Sequence, residues 1–110
     1  MVQLTLRLLT CRWDRRGLLQ ALRSVVHTAM SRPGLLRCGL YEDTSRPGAL
    51  LYVEEWRSRD DLHREVRSDR FTRLLAVMEA AAARPELELR FIGEIKGIAW
   101  VADIRGESEP

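Results

Sequence analysis

From Val2 the chain alternates. Val2, Leu4, Leu6 and Leu8 fall on one side and Gln3, Thr5 and Arg7 on the other, the two-residue period of a strand. After Asp14, a candidate cap, the period lengthens. Leu18, Leu22, Val25, Val26 and Ala29 recur at intervals of three and four and form a helical stripe, which Pro33 and Gly34 stop.

Two further apolar runs, "LLRCGLYED" and "ALLYVEEW", flank the turn-forming "TSRPG" and read as an antiparallel hairpin. Ser58 with Asp61 resembles a capping box. Beyond it Leu62 and Val66, then Phe71, Leu74, Leu75 and Met78, mark a second helical region with a break at "SDR" and an end at Pro85. "ELELRFIGEI" alternates again through Leu87, Leu89 and Phe91, and "IAWVADI" after Gly97 reads as an extension of that strand or as a further one.

Strand, helix, strand, strand, helix, strand is the order of the ferredoxin-like split unit. The expected class is therefore α+β: a βαββαβ sandwich whose antiparallel sheet carries its helices on one face. The expected organisation is one domain over 1–105 with a polar tail over 106–110. Leu9 lies opposite the Val2–Leu8 face, and Leu50 and Leu51 supply apolar atoms to both sides of the third strand, so both faces of the sheet need cover. A second copy is the simplest cover for the open face. The expectation is a twofold homodimer, with "GIAWVADI" crossing or edging the interface.

Composition narrows the function classes. Of 110 residues 45% are hydrophobic, enough for one core. The 18 basic and 16 acidic residues are interspersed, giving a net charge of +2 and no nucleic-acid footprint. Lys96 is the only lysine, and the abundant arginines suit paired contacts with carboxylates. No segment has the roughly 20 apolar residues of a membrane helix, and the amino terminus has no signal-peptide pattern, so a cytoplasmic protein is expected. Cys11 and Cys38 share no metal-ligand spacing with His27 or His63 and are read as small buried hydrophobes. His27 is read as half-buried and His63 as exposed.

"SRPGLLRCGLYEDTSRPGALLYVEEW", followed by a helix reaching "RSDRF", resembles the antibiotic biosynthesis monooxygenases, a family of small dimeric α/β-barrel proteins. The features that carry the resemblance are the Pro-Gly turn before the second strand, "GLYED", a third strand ending in Glu54-x-Trp56, and the phenylalanine after the helix break. In element order it spans Met1 to about Ile95. It implies a dimeric α/β barrel with a pocket between helices and sheet. For some members it also implies oxidation of a quinol or anthrone-like ring by dioxygen with neither metal nor organic cofactor. The substrate loses a proton, its anion passes an electron to dioxygen, and recombination with loss of water leaves a quinone.

Such chemistry needs a dry aromatic pocket and a stabiliser of phenolate charge. By alternation Leu50, Tyr52, Glu54 and Trp56 share one face of the third strand. Glu54 is the candidate proton acceptor and Arg70 the candidate phenolate stabiliser. Tyr52, Trp56 and Phe71 are the candidate ring contacts, with Trp56 expected at the pocket mouth. The alternatives pair Glu54 with an arginine and sink Trp56 into the core.

Where quinol-type members carry helix histidines, in a pattern like "H-x-x-S-x-H-F", this chain has "EVRSDRF", with Glu65 and Arg70 at those positions. The haem-degrading branch needs an asparagine, and the chain has none. Two readings stand. One is a cofactor-independent monooxygenase that oxidises a quinol, anthrone or related aromatic polyketide with dioxygen; the other is a non-catalytic dimeric ligand-binding or accessory domain on the same scaffold.

Overall fold

The computed structural model describes residues 1–106. Its strands are β1 (Val2–Leu9), β2 (Leu35–Glu42), β3 (Ala49–Trp56) and β4 (Glu86–Phe91), and its helices α1 (Arg15–Ala29), α2 (Arg59–Val66), α3 (Asp69–Ala80) and α4 (Ile98–Arg105). The strands form one antiparallel sheet in the order β2-β3-β1-β4. This is the expected α+β, ferredoxin-like arrangement.

Registers set the layers. Leu4 stands opposite Glu54 and Leu89, Leu6 opposite Tyr52 and Leu87, and Val2 opposite Trp56 and Phe91. All these residues lie on the helix side of the sheet, where Leu4, Leu6, Leu8, Leu22, Val25, Leu50, Tyr52, Phe71 and Leu74 make the main core. A second cluster holds Val2, Trp56 and Leu62, with Leu35 against it. Full burial of a leucine such as Leu22 contributes about 1.5–3 kcal/mol.

Local chemistry explains the helix boundaries. The side chain of Ser58 accepts a hydrogen bond from the Asp61 amide and starts α2, as the capping-box pattern implies. Ser68 accepts from the Phe71 amide and starts α3, so the "SDR" break is a new cap. Asp14 heads α1 without capping it. Its carboxylate accepts instead from the Cys11 and Ala82 amides, and these bonds hold it below the usual carboxylate range. At Gly34 the backbone is left-handed (φ 80°), and its carbonyl accepts from the Arg57 amide at 2.8 Å, tying the turn before β2 to the entry of α2.

The carboxyl-terminal run departs from expectation. Ile98–Arg105 is a helix, neither a continuation of β4 nor a separate strand. Gly97 precedes it, and Gly106, left-handed at φ 74°, closes it. Of the expected polar tail, residues 107–110 lie outside the described residues. Val66 and Leu75 point outward as well, and the inward place on α2 goes to Glu65. His27 is exposed on α1, and both cysteines are half-buried rather than buried.

No helix among the described residues covers the sheet face opposite α1, α2 and α3. Thr5 and Val53 pair at its centre, both buried, and the Thr5 hydroxyl has no hydrogen-bond partner. Leu9 and Tyr41 lie exposed on the same face.

Candidate functional site

Four of the five residues expected at the site form one network. β3 supplies Tyr52, Glu54 and Trp56 on consecutive inward positions, and the first turn of α3 supplies Arg70. Arg70 Nη1 donates to Glu54 Oε2 at 2.9 Å and to Glu65 Oε1 at 3.1 Å. Its Nη2 donates to the Val25 carbonyl at 2.9 Å and to the Tyr52 hydroxyl at 3.0 Å. The Tyr52 hydroxyl donates to Glu54 Oε2, and Trp56 Nε1 donates to Glu54 Oε1 at 3.0 Å. Arg32 Nε closes the far end on Glu65 Oε2 at 2.8 Å. Two arginines face two carboxylates, so the buried charge is balanced.

Burial decides what this network can do. Glu54, Tyr52 and Trp56 are 0% exposed and Arg70 is 6% exposed. Trp56 therefore fills the core between Val2 and Leu62 and is not an open wall at a pocket mouth. The alternation along β3 was read correctly for direction. What buries the tryptophan is α2, which folds back over the strand end and lays Leu62 on the indole. Glu54 likewise takes the ion-pair alternative. Phe71, 6% exposed, packs into the main core beside Tyr52.

Protonation follows from these contacts. Burial, and then the Glu54 carboxylate, push the Tyr52 phenol far above its ordinary value, so it stays a neutral donor. Burial pulls the Arg70 guanidinium down, but Tyr52 and Glu54 outweigh that pull and hold it above its ordinary value. Burial also raises the Cys38 thiol, whose Sγ donates to the Tyr52 hydroxyl at 3.4 Å. A thiol held protonated is a poor nucleophile.

Open apolar surface lies two strands away. On β4, Leu87, Leu89 and Phe91 continue the rows of Leu6, Leu4 and Val2, yet they are 39, 40 and 51% exposed because the helices stop short of this edge. The Arg59 guanidinium of α2 sits 4.2 Å above the Phe91 ring. Arg59 has no carboxylate partner among the described residues. Beside it a cavity of about 250 Å³ is lined by Met1, Val2, Arg59, Phe91, Ile92 and Gly93. His63 follows Arg59 by one helical turn on the same side of α2, and it is exposed as expected.

Sequence reasoning missed Arg59, Arg32 and the inward role of Glu65. Arg59 was detectable only as the first residue after a cap, which says nothing about its stack on a strand far along the chain. A cavity of about 490 Å³ lies elsewhere, at one end of the open sheet face near Arg7, Tyr41, Arg46, Leu51 and Arg84. None of the five expected residues lines it. Among the described residues no cluster of His, Cys, Asp or Glu could hold a metal, and no helix is long and apolar enough to cross a membrane.

Comparison with known proteins places this geometry. Residues 11–77 match the family model described as antibiotic biosynthesis monooxygenase. Among solved structures, a candidate antibiotic biosynthesis monooxygenase of Deinococcus radiodurans superposes with a TM-score of 0.80 at 20% identity, over 88% of this chain and 97% of that one. Rv0793 of Mycobacterium tuberculosis gives 0.75 at 20% identity, over 87% and 98%. A conserved protein of Methanosarcina mazei Go1 gives 0.73 at 18%, over 81% and 89%. At such identities the likeness is one of fold. No curated protein matches the sequence.

Proposed function

The chain belongs to the antibiotic biosynthesis monooxygenase family, and we propose that it is a twofold dimer that binds a planar phenolic ring of the quinol or anthrone class over β4. There it oxidises the ring with dioxygen, with no metal or organic cofactor taking part. The observation that carries this reading is the bare apolar row Leu87, Leu89 and Phe91 with the Arg59 guanidinium at its end. A flat ring on that row gains apolar contact, and a cation at one end favours the phenolate over the phenol.

The buried network then acts at a distance. Glu54 and Arg70, expected from the sequence to take a proton and to stabilise the phenolate, are engaged with each other, with Tyr52 and with Trp56. Their role in this reading is to hold β3 and the start of α3 in place. Arg59 carries the charge-stabilising role, and His63, one turn along, takes the proton. For an anthrone the reaction balances with one dioxygen. The ring carbon loses a proton and its anion gives one electron to dioxygen; the two radicals then join as a peroxide, and loss of water leaves a carbonyl.

The unpartnered Thr5 hydroxyl, with Val53 and Leu51 beside it on the open face, supports the dimer, because a second sheet would cover them. The alternative, a non-catalytic dimeric ligand-binding domain, is favoured by the closure of the Glu54–Arg70 pair. Dioxygen uptake by metal-stripped protein with a panel of anthrones and quinols separates the two. The expected result is consumption above the protein-free rate, with one quinone formed per dioxygen. Equal rates with and without protein across the panel overturn the catalytic reading.

A further inference from the structure

A groove of about 460 Å³ runs along the helix layer between α1 and α3, with Gly17 and Ala21 on one wall and Ala76, Val77 and Ala80 on the other. No strand residue lines it, so it is separate from the β4 row and from the open sheet face. The two helices are antiparallel: Asp14 accepts from the Ala82 amide at one end, and the Val25 carbonyl accepts from Arg70 at the other. From Asp14 to Val25 the seam spans about 16 Å, the length of about three helical turns. Its walls stand back, since a Cβ built on Gly17 meets nothing within 4 Å. Trp13 stands at the head of the groove, 81% exposed. Tryptophan and arginine are the residue types enriched where interfaces carry their energy.

The rim is basic. Arg12 precedes Trp13, Arg16 follows it by one turn, and Arg73 lies one turn before Ala76 and Val77 on α3. None of these three has a carboxylate within ion-pair distance among the described residues, whereas Arg15 beside them holds Glu42 at 2.7 Å. Nothing acidic on the chain is placed to neutralise them. α1 carries no acidic residue, and the Asp14 carboxylate is taken by the Cys11 and Ala82 amides. Glu79 projects about 110° round α3 from the line of Arg73 and Ala80. Asp69 does lie on that line, but in the first turn, where the dipole of α3 favours a carboxylate.

We propose that this groove docks an acidic amphipathic helix of a partner protein. The partner's apolar stripe lies between the two walls with Trp13 against its end, and carboxylates on its flanks meet Arg12, Arg16 and Arg73. Arg16 and Arg73 are about 9 Å apart along the seam, so carboxylates two turns apart on one helix reach both. An anionic membrane surface is the poorer fit, because apolar atoms recessed between two helices do not reach into a bilayer, which takes up apolar side chains that protrude.

The probe is a synthetic peptide of about 16 residues, long enough for the seam, with leucine at i, i+3, i+4 and i+7 spacing and glutamate on both flanks of that stripe. A twin carries lysine for every glutamate. Each is titrated at low salt into the full chain labelled with nitrogen-15, and amide shifts are followed. The expected result is saturable shifts at Gly17, Ala21, Ala76 and Ala80 with the acidic peptide. Affinity is at least about tenfold weaker for the lysine twin, and for the acidic peptide against the Arg16→Glu, Arg73→Glu double variant. Gly17→Leu, which puts a side chain into the open groove, abolishes the shifts while its urea midpoint is no lower than the parent's. Equal affinity for the two peptides, shifts confined to other parts of the chain, or no saturable shift overturns the proposal. Binding to vesicles of anionic phospholipid but not to the acidic peptide also overturns it, and gives this face to a membrane surface.

Discussion

Trp56→Ala is expected to destabilise the folded chain by roughly 3 to 5 kcal/mol, a large part of the total stability of a domain this size. The indole is 0% exposed, packs with Val2 and Leu62, and donates to Glu54 at 3.0 Å. Removing it opens a cavity and leaves Glu54 Oε1 without its donor. Urea unfolding followed by far-ultraviolet circular dichroism measures the change. From the sequence, with Trp56 expected as an open wall, this variant would stay folded and lose only ligand contact. A midpoint close to that of the parent would restore that view.

Arg70→Met carries the second large effect. It leaves Glu54 and Glu65 buried with Nη1 of Arg70 gone from both, and breaking a buried pair in this way costs about 3–5 kcal/mol. Glu54→Gln alone disturbs the same pair from the other side. If the network is one unit, the double variant is destabilised by at least about 1 kcal/mol less than the sum of the singles. Urea midpoints of the three variants and the parent close the cycle. Strict additivity would mean that the two side chains do not depend on each other, against the geometry.

Much of this was legible in the chain. Period-two runs located β1 and β4, and two apolar runs flanking a turn cluster located β2 and β3; Ser58 marked the start of α2, while the break at "SDR" proved to be the cap of a separate α3. Alternation also placed Tyr52, Glu54 and Trp56 on a common face. Their depth was not legible, because it depends on α2 folding over the strand end, a long-range event that leaves no local pattern. Glu65 was singled out only as standing where quinol-type members carry a histidine; its inward place shows once Arg70 and Arg32 are seen to meet it. In α4, Ile98, Trp100 and Ala102 mimic a strand because the helix is short and has no buried stripe of its own. Arg59 could be found only once β4 lay beside α2.

The central claim is that chemistry takes place over β4 and not at the buried Glu54–Arg70 pair. The most direct measurement is substrate-dependent dioxygen uptake by Leu89→Arg, using an anthrone or quinol that the parent oxidises. Leu89 is 40% exposed, so the new guanidinium can reach water and the fold should persist while the ring's floor is blocked. The account predicts uptake no faster than without protein, from a variant whose unfolding midpoint matches the parent's. Uptake at the parent's rate would contradict it and place the site elsewhere.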